Sequence, residues 1–162
     1  MTGKAKKTDI MDTAARFLEH RMRTEQEVRR RLEDAAFEEE EIRSCLDRLK
    51  ELHYIDDRAY ALTYLRRSLE KRRGRCRIFR ELRERGIERN IVQQAIYDFE
   101  DEEGTDLSEE EFRNAAAEAA RLLEGSASTE KERARAGRRL ASLGYETSLI
   151  YAVLGQIGQD TL

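Results

Sequence analysis

The side chains able to do chemistry are few and scattered. His20 and His53 have no second ligand or proton partner close in sequence, so neither a metal site nor acid–base catalysis is expected of them. Cys45 and Cys76 sit in no metal-ligand spacing, which suits a reducing compartment better than a secreted disulfide scaffold. Cys45 shares a helical face with Ile42, Leu46 and Leu49 and reads as core. Cys76 stands among arginines that would lower a thiol pKa, yet it has no resolving partner and reads as a small helical residue. The chain holds 34 Asp and Glu residues, none set apart from helix caps and solvated faces. No catalytic residue, cofactor or metal ion is therefore expected.

Positive charge is the one chemistry the sequence concentrates. Ten basic residues fall between Arg66 and Arg85 against Glu70, Glu81 and Glu84, a local net of +7 in a chain whose net charge is −3. Such a stretch marks a polyanionic partner, either phosphate backbone or an acidic protein groove. Pairs at i,i+4, such as Arg66 with Glu70 and Arg77 with Glu81, would neutralise only a minority of the ten. Asp98 to Glu111 holds nine acids and no base. It reads as a solvating linker, Glu100 to Leu107, that also keeps the basic middle from folding back onto the wrong surface. Tyr60 and Tyr64 lie one turn apart and could stack on bases, but helical spacing with Ala61 and Leu65 favours core packing.

The elements that carry these residues are helices. There is no proline or tryptophan, 40% of residues are charged, and Ala, Leu, Glu and Arg dominate each long stretch. No stretch approaches the roughly eighteen apolar residues of a membrane span, and residues 1–9 lack the apolar core of a signal peptide, so a cytoplasmic protein is expected. One pattern recurs three times: Leu32, Phe37, Ile42, Leu46; Leu82, Ile87, Val92, Ile96; and Leu140, Tyr145, Ile150, Leu154. The residue before the second member is Ala36, Gly86 or Gly144, where an αL residue would end a helix. A further amphipathic helix precedes each pair.

Capping boxes are expected at Thr24 with Glu27, Ser108 with Glu111 and Thr129 with Glu132, and a cap at Asp56 or Asp57. Helices are predicted over 9–20, 25–35, 39–52, 57–72, 76–85, 88–99, 109–124, 130–142 and 147–156. This divides the chain into a basic tail (1–8), three-helix units at 9–55, 56–99 and 108–158, the acidic linker 100–107, a short linker Gly125 to Ser128, and a tail (159–162). Units of about 45 residues bury too little to stand alone, so an all-α, elongated and curved array of three stacked repeats is predicted.

At this point the residues carry a resemblance. Tyr54-Ile55-Asp56-Asp57, Tyr60-Ala61, Gly74-Arg75 and Leu82-Arg83-Glu84-Arg85-Gly86-Ile87 resemble the central block of the RecX family, regulators of the RecA recombinase. Arg21, Thr24, Glu27, Leu32 and Phe37 agree in the first unit, and Arg138, Arg139, Leu140, Gly144 and Tyr145 agree more loosely in the third. The sequence departs from the family pattern at Met22, where proline is usual, and at Ala36 and His53, where glycine is usual. In αL geometry Ala36 would cost about 1 kcal/mol, and His53 less.

The resemblance implies a monomeric, non-enzymatic regulator that lodges in the helical groove of the RecA filament on single-stranded DNA and inhibits it, acting in recombination, DNA repair and the SOS response. The basic middle of the chain offers Arg66, Arg67, Lys71, Arg72, Arg73, Arg75 and Arg77 as the expected contacts. Arg29 and Arg30 come second, because Glu33 and Asp34 partly cancel them. The alternative is a helix-turn-helix protein that reads DNA directly, for which only the helix with Arg89, Asn90, Gln93 and Gln94 offers suitable side chains.

Overall fold

The computed structural model describes residues 9–124 and 129–159. The tail 1–8, the linker 125–128 and residues 160–162 lie outside the described residues. Among those described, nine helices follow one another with no strand: α1 (Ile10–Leu18), α2 (Glu25–Asp34), α3 (Glu39–Glu51), α4 (Asp57–Glu70), α5 (Arg75–Glu84), α6 (Arg89–Glu103), α7 (Leu107–Leu123), α8 (Glu130–Ser142) and α9 (Thr147–Gln159).

The five-residue step of the repeat has a local cause. After α2 the Phe37 N–H donates to the Leu32 carbonyl and the Ala36 N–H to that of Glu33, which is a Schellman closure. Ile87 on Leu82 and Tyr145 on Leu140 repeat it after α5 and α8. The first two apolar members of each copy are thus the paired residues that clamp a helix end. Ala36 (φ 62°) and His53 (φ 59°) adopt αL as glycine would, and Arg72 (φ 54°) joins them. At the other ends, Thr24 with Glu27 and Thr129 with Glu132 form capping boxes, and Asp56 accepts from the Ala59 N–H.

Three separate cores result, one per unit. Val28, Leu32, Ile42, Leu46 and Leu49 centre the first; Leu65, Leu69, Ile78, Leu82 and Ile87 the second; Ala115, Ala119, Leu140, Tyr145 and Val153 the third. Each buried leucine or isoleucine contributes about 1.5–3 kcal/mol relative to exposure. The fold is an all-α array, not one round core.

Two expectations about the middle of the chain fail together. The acidic stretch does not open into a linker at Glu100, because α6 continues to Glu103 and stops at Gly104 in αL. Arginines of α4 pair with part of it: Arg58 binds Asp98 bidentately at 2.6 Å, and Arg66 binds Glu102 and Glu103. The Ser108–Glu111 capping box does not form either. Asp106 caps α7 instead, accepting from the Ser108 N–H at 2.6 Å, so α7 begins at Leu107, and Leu107 packs into the second core. Glu111 is thereby released to turn inward, where it is 2% exposed.

The seams between units repeat one arrangement. The start of the second helix in one unit meets the end of the second helix in the next. The Thr24 hydroxyl donates to the Arg85 carbonyl at 2.8 Å, and beside it the Glu25 N–H donates to the carboxylate of Asp57, at the start of α4, at 2.9 Å. One unit on, the Gly74 N–H donates to the Leu143 carbonyl at 2.8 Å and the Cys76 N–H to that of Gly144 at 3.0 Å. The approach is close enough that a Cβ on Gly74 would lie 2.4 Å from the Gly144 carbonyl. Ala36 occupies the equivalent turn in the first unit, is exposed, and tolerates its methyl group.

Candidate partner-binding surface

The α4–α5 turn, built by the Schellman closure at Arg72 and Arg73, carries most of the basic residues predicted to meet a partner. Most of them turn out to hold the protein together. Arg75 reaches the buried Glu111 through Nε at 2.6 Å and through its own backbone N–H at 2.6 Å, with the Ser108 hydroxyl at 2.9 Å from its outer nitrogen. Arg72 pairs with Glu118 at 3.3 Å, and its carbonyl accepts the Tyr145 hydroxyl at 2.6 Å. Arg73 and Arg77 flank Glu81, at 3.8 and 2.8 Å. Arg66 is taken up by Glu102 and Glu103, not by Glu70. Of the second-choice pair, Arg29 binds Glu39 at 2.9 Å.

The electrostatics follow from these pairings. Burial alone would raise the Glu81 carboxyl, but the Tyr64 hydroxyl and the Arg77 and Arg73 guanidiniums outweigh it and hold it below its usual value. The hydrogen bond from Arg121, assisted by Arg72, lowers Glu118 likewise. Burial, reinforced by Glu111 and Glu118, pushes the Tyr145 phenol well up. Cys76 is exposed, but desolvation of its thiol, then Glu146 and Glu111, raise its pKa, so its arginine neighbours do not activate it.

Three predicted residues, Arg67, Lys71 and Arg30, are exposed and make no ion pair among the described residues. Arg67 and Lys71 lie four apart at the end of α4 and share a face. Arg67 borders a groove with His20, Arg21, Met22 and Thr63 where the first two units meet. Tyr60 is buried in the second core, parallel to Tyr64 at 6.3 Å, and the Arg85 guanidinium sits 4.7 Å over Tyr64, so the pair is packing and not a platform for bases. Arg83, left out of the predicted contacts, and Arg89, named only for direct reading of DNA, are also exposed and unpaired among the described residues. The signal for Arg83 was helical spacing with Phe79 and Arg80 on α5, which total charge does not register; Arg89 opens the next helix and is brought beside them by the turn at Gly86.

No group of three or more His, Cys, Asp or Glu is placed to hold a metal among the described residues, and none of their helices is long and apolar enough to cross a membrane.

Comparison with known proteins meets this architecture directly. Residues 11–49 match the family description "RecX, first three-helix domain", and residues 56–96 match "RecX, second three-helix domain". The chain belongs to the RecX family. The Regulatory protein RecX of Listeria welshimeri is 31% identical over 114 residues, which cover 70% of this chain and 40% of that protein. That of Caldanaerobacter subterraneus is 33% identical over 83 residues, covering 51% and 42%. The chain therefore spans well under half of these two RecX relatives. The RecX of Prosthecochloris aestuarii is 26% identical over 148 residues, which cover 91% of this chain and 92% of that protein. In fold, the crystal structure of RecX from Lactobacillus salivarius superposes with a TM-score of 0.81 at 20% identity, covering 94% and 97% of the two chains. A second RecX crystal structure gives 0.75 at 24% identity, covering 93% and 73%. The family models fall on the first two three-helix units, and the RecX structures extend the likeness of fold over the third.

Proposed function

We propose that this chain binds the RecA recombinase filament on single-stranded DNA in the cytoplasm and restrains its activity, acting as a monomer. Family membership supports a regulatory role. The observation that carries the contact surface is that Arg67 and Lys71 remain exposed and unpaired on one face after the fold has used their neighbours. A row of three cores also gives a long surface suited to a filament groove.

The test is a filament pull-down with R67E/K71E, with and without DNA, alongside strand-exchange inhibition. Both positions are exposed, so the variant should fold as the parent does, and inhibition should weaken about tenfold, as loss of about 1.4 kcal/mol of binding implies. If the contacts are to phosphate, the salt slope of binding should flatten by roughly 1.4, about 0.7 for each charge. A folded variant that binds and inhibits like the parent removes these residues from the surface.

A second reading, direct reading of DNA by α6, is favoured by one observation: Arg89, Asn90, Gln93 and Gln94 are all exposed along that helix. Sequence-dependent binding to duplex DNA without recombinase, lost in N90A/Q93A, would select it.

A further inference from the structure

The groove between α5 and the start of α6 shares no lining residue with the Arg67 groove and has no role in the filament reading. It encloses about 580 Å³. Phe79, half-buried and packed against the second core to which the buried Ile87 and Val92 belong, is the accessible apolar side chain of its floor. Cationic side chains border it. Arg83 and Arg89 are exposed and unpaired among the described residues, and Arg80 makes only an outlying contact with the exposed Glu84 at 4.0 Å. Glu88 is the single acid in the lining. It stands at the N-cap of α6 without a side-chain cap hydrogen bond, so the first turn of that helix adds favourable potential for a carboxylate.

We infer that this groove docks an acidic amphipathic segment of a partner protein, whose apolar side chains rest on Phe79 and whose carboxylates meet Arg80, Arg83 and Arg89. Charge complementarity selects the sign of the partner, and the apolar lining selects its kind. Phosphate backbone needs cations and gains nothing from covering Phe79, whereas a helix with apolar residues at i and i+4 buries the exposed part of that ring and keeps its acids at the rim. The inference does not rest on the recombinase reading, and its test contains no recombinase.

The groove carries its own reporter. Cys76 lines it and is exposed, while Cys45 is buried, so maleimide labelling followed by peptide mass mapping reads groove occupancy at one residue. Three probes are compared on the full chain: a Glu/Asp-rich helical peptide of about a dozen residues with Leu and Phe at i and i+4, the same peptide with Ala at both anchors, and a thymidine oligonucleotide of equal charge. The anchored peptide should slow Cys76 labelling about tenfold at saturation, and the other two far less. R83E/R89E, at two exposed unpaired positions, should melt like the parent and lose that protection. Equal protection by the anchorless peptide would overturn the role of the apolar lining. Equal or better protection by the oligonucleotide would assign the groove to nucleic acid and overturn the proposal, as would the absence of protection by any probe.

Discussion

Arg75 and Glu111 make two bonds to each other across the seam between the second and third units, one from the guanidinium Nε and one from the Arg75 backbone N–H, each 2.6 Å. The carboxylate is 2% exposed and the arginine side chain 26%. A carboxylate held this way fixes both the start of α5 and the depth at which α7 sits. A buried ion pair is weak evidence of net stability but good evidence of what happens when one partner is lost.

Glu111→Ala should therefore destabilise the protein by about 2–3 kcal/mol, less than the 3–5 of a fully enclosed pair because Arg75 retains some water. Urea unfolding followed by circular dichroism measures it. A loss of only a few tenths would mean that the seam does not depend on this carboxylate.

The same pairing changes what charge reversal should do. R72E/R75E sets new carboxylates against Glu118 and Glu111, so it should unfold the third unit from the second and lower the melting temperature markedly. R67E/K71E, which removes the same amount of charge from exposed unpaired positions, should leave melting unchanged within about 0.5 kcal/mol. If the two variants melt alike, the ion pairs described at the seam do not hold in solution.

The glycines should separate into two kinds. Gly74 has an ordinary negative φ, but an added Cβ would lie 2.4 Å from the Gly144 carbonyl, so Gly74→Ala should cost about 1–3 kcal/mol purely by opening the seam. Gly144→Ala combines φ 96° with a Cβ 2.4 Å from that of Arg77 and should cost more. Ala36→Gly should do the reverse and stabilise by up to about 1 kcal/mol, because the residue is in αL and exposed. Thermal melts of the three variants check the order, which a neutral Gly74→Ala would break.

Stability should fall on the acid side. Glu81 and Glu118 are held below the usual 4.5, and Arg58 holds Asp98 below 3.8. Carboxyls depressed in the folded state bind protons more readily once unfolded, so their contribution is present above those usual values and is lost as pH falls from them through the lower values of the folded state. Asp57, raised chiefly by burial, acts in the opposite sense but stands alone against three. Melting temperature should drop as pH falls below about 4.5. At the alkaline end, the Tyr64 and Tyr145 phenols are both held above 10, which favours the folded state less and less as pH rises past that value. A melting temperature constant from pH 6 to pH 3 would contradict the ion-pair assignment.

Helix positions, the threefold repeat and the RecX resemblance were legible in the residues because each depends on neighbours in sequence. Leu32 with Phe37 or Leu82 with Ile87 is a helix end closing on itself, and Thr24 with Glu27 is a first turn satisfying its own N–H groups. The same local rules failed at Ser108 and Glu111, where the pattern was present but Asp106 capped the helix and Arg75 claimed the carboxylate. The working surface could not be read from charge density for a related reason. Arg66 meets Glu102, Arg75 meets Glu111 and Arg72 meets Glu118, each partner a whole helix or more away along the chain. The residues alone determined how much positive charge the second unit carries. Only the tertiary packing decided which of it is spent between helices and which, at Arg67, Lys71, Arg83 and Arg89, stays exposed and unpaired among the described residues, because an ion pair depends on distance in space and the folded seams set that distance.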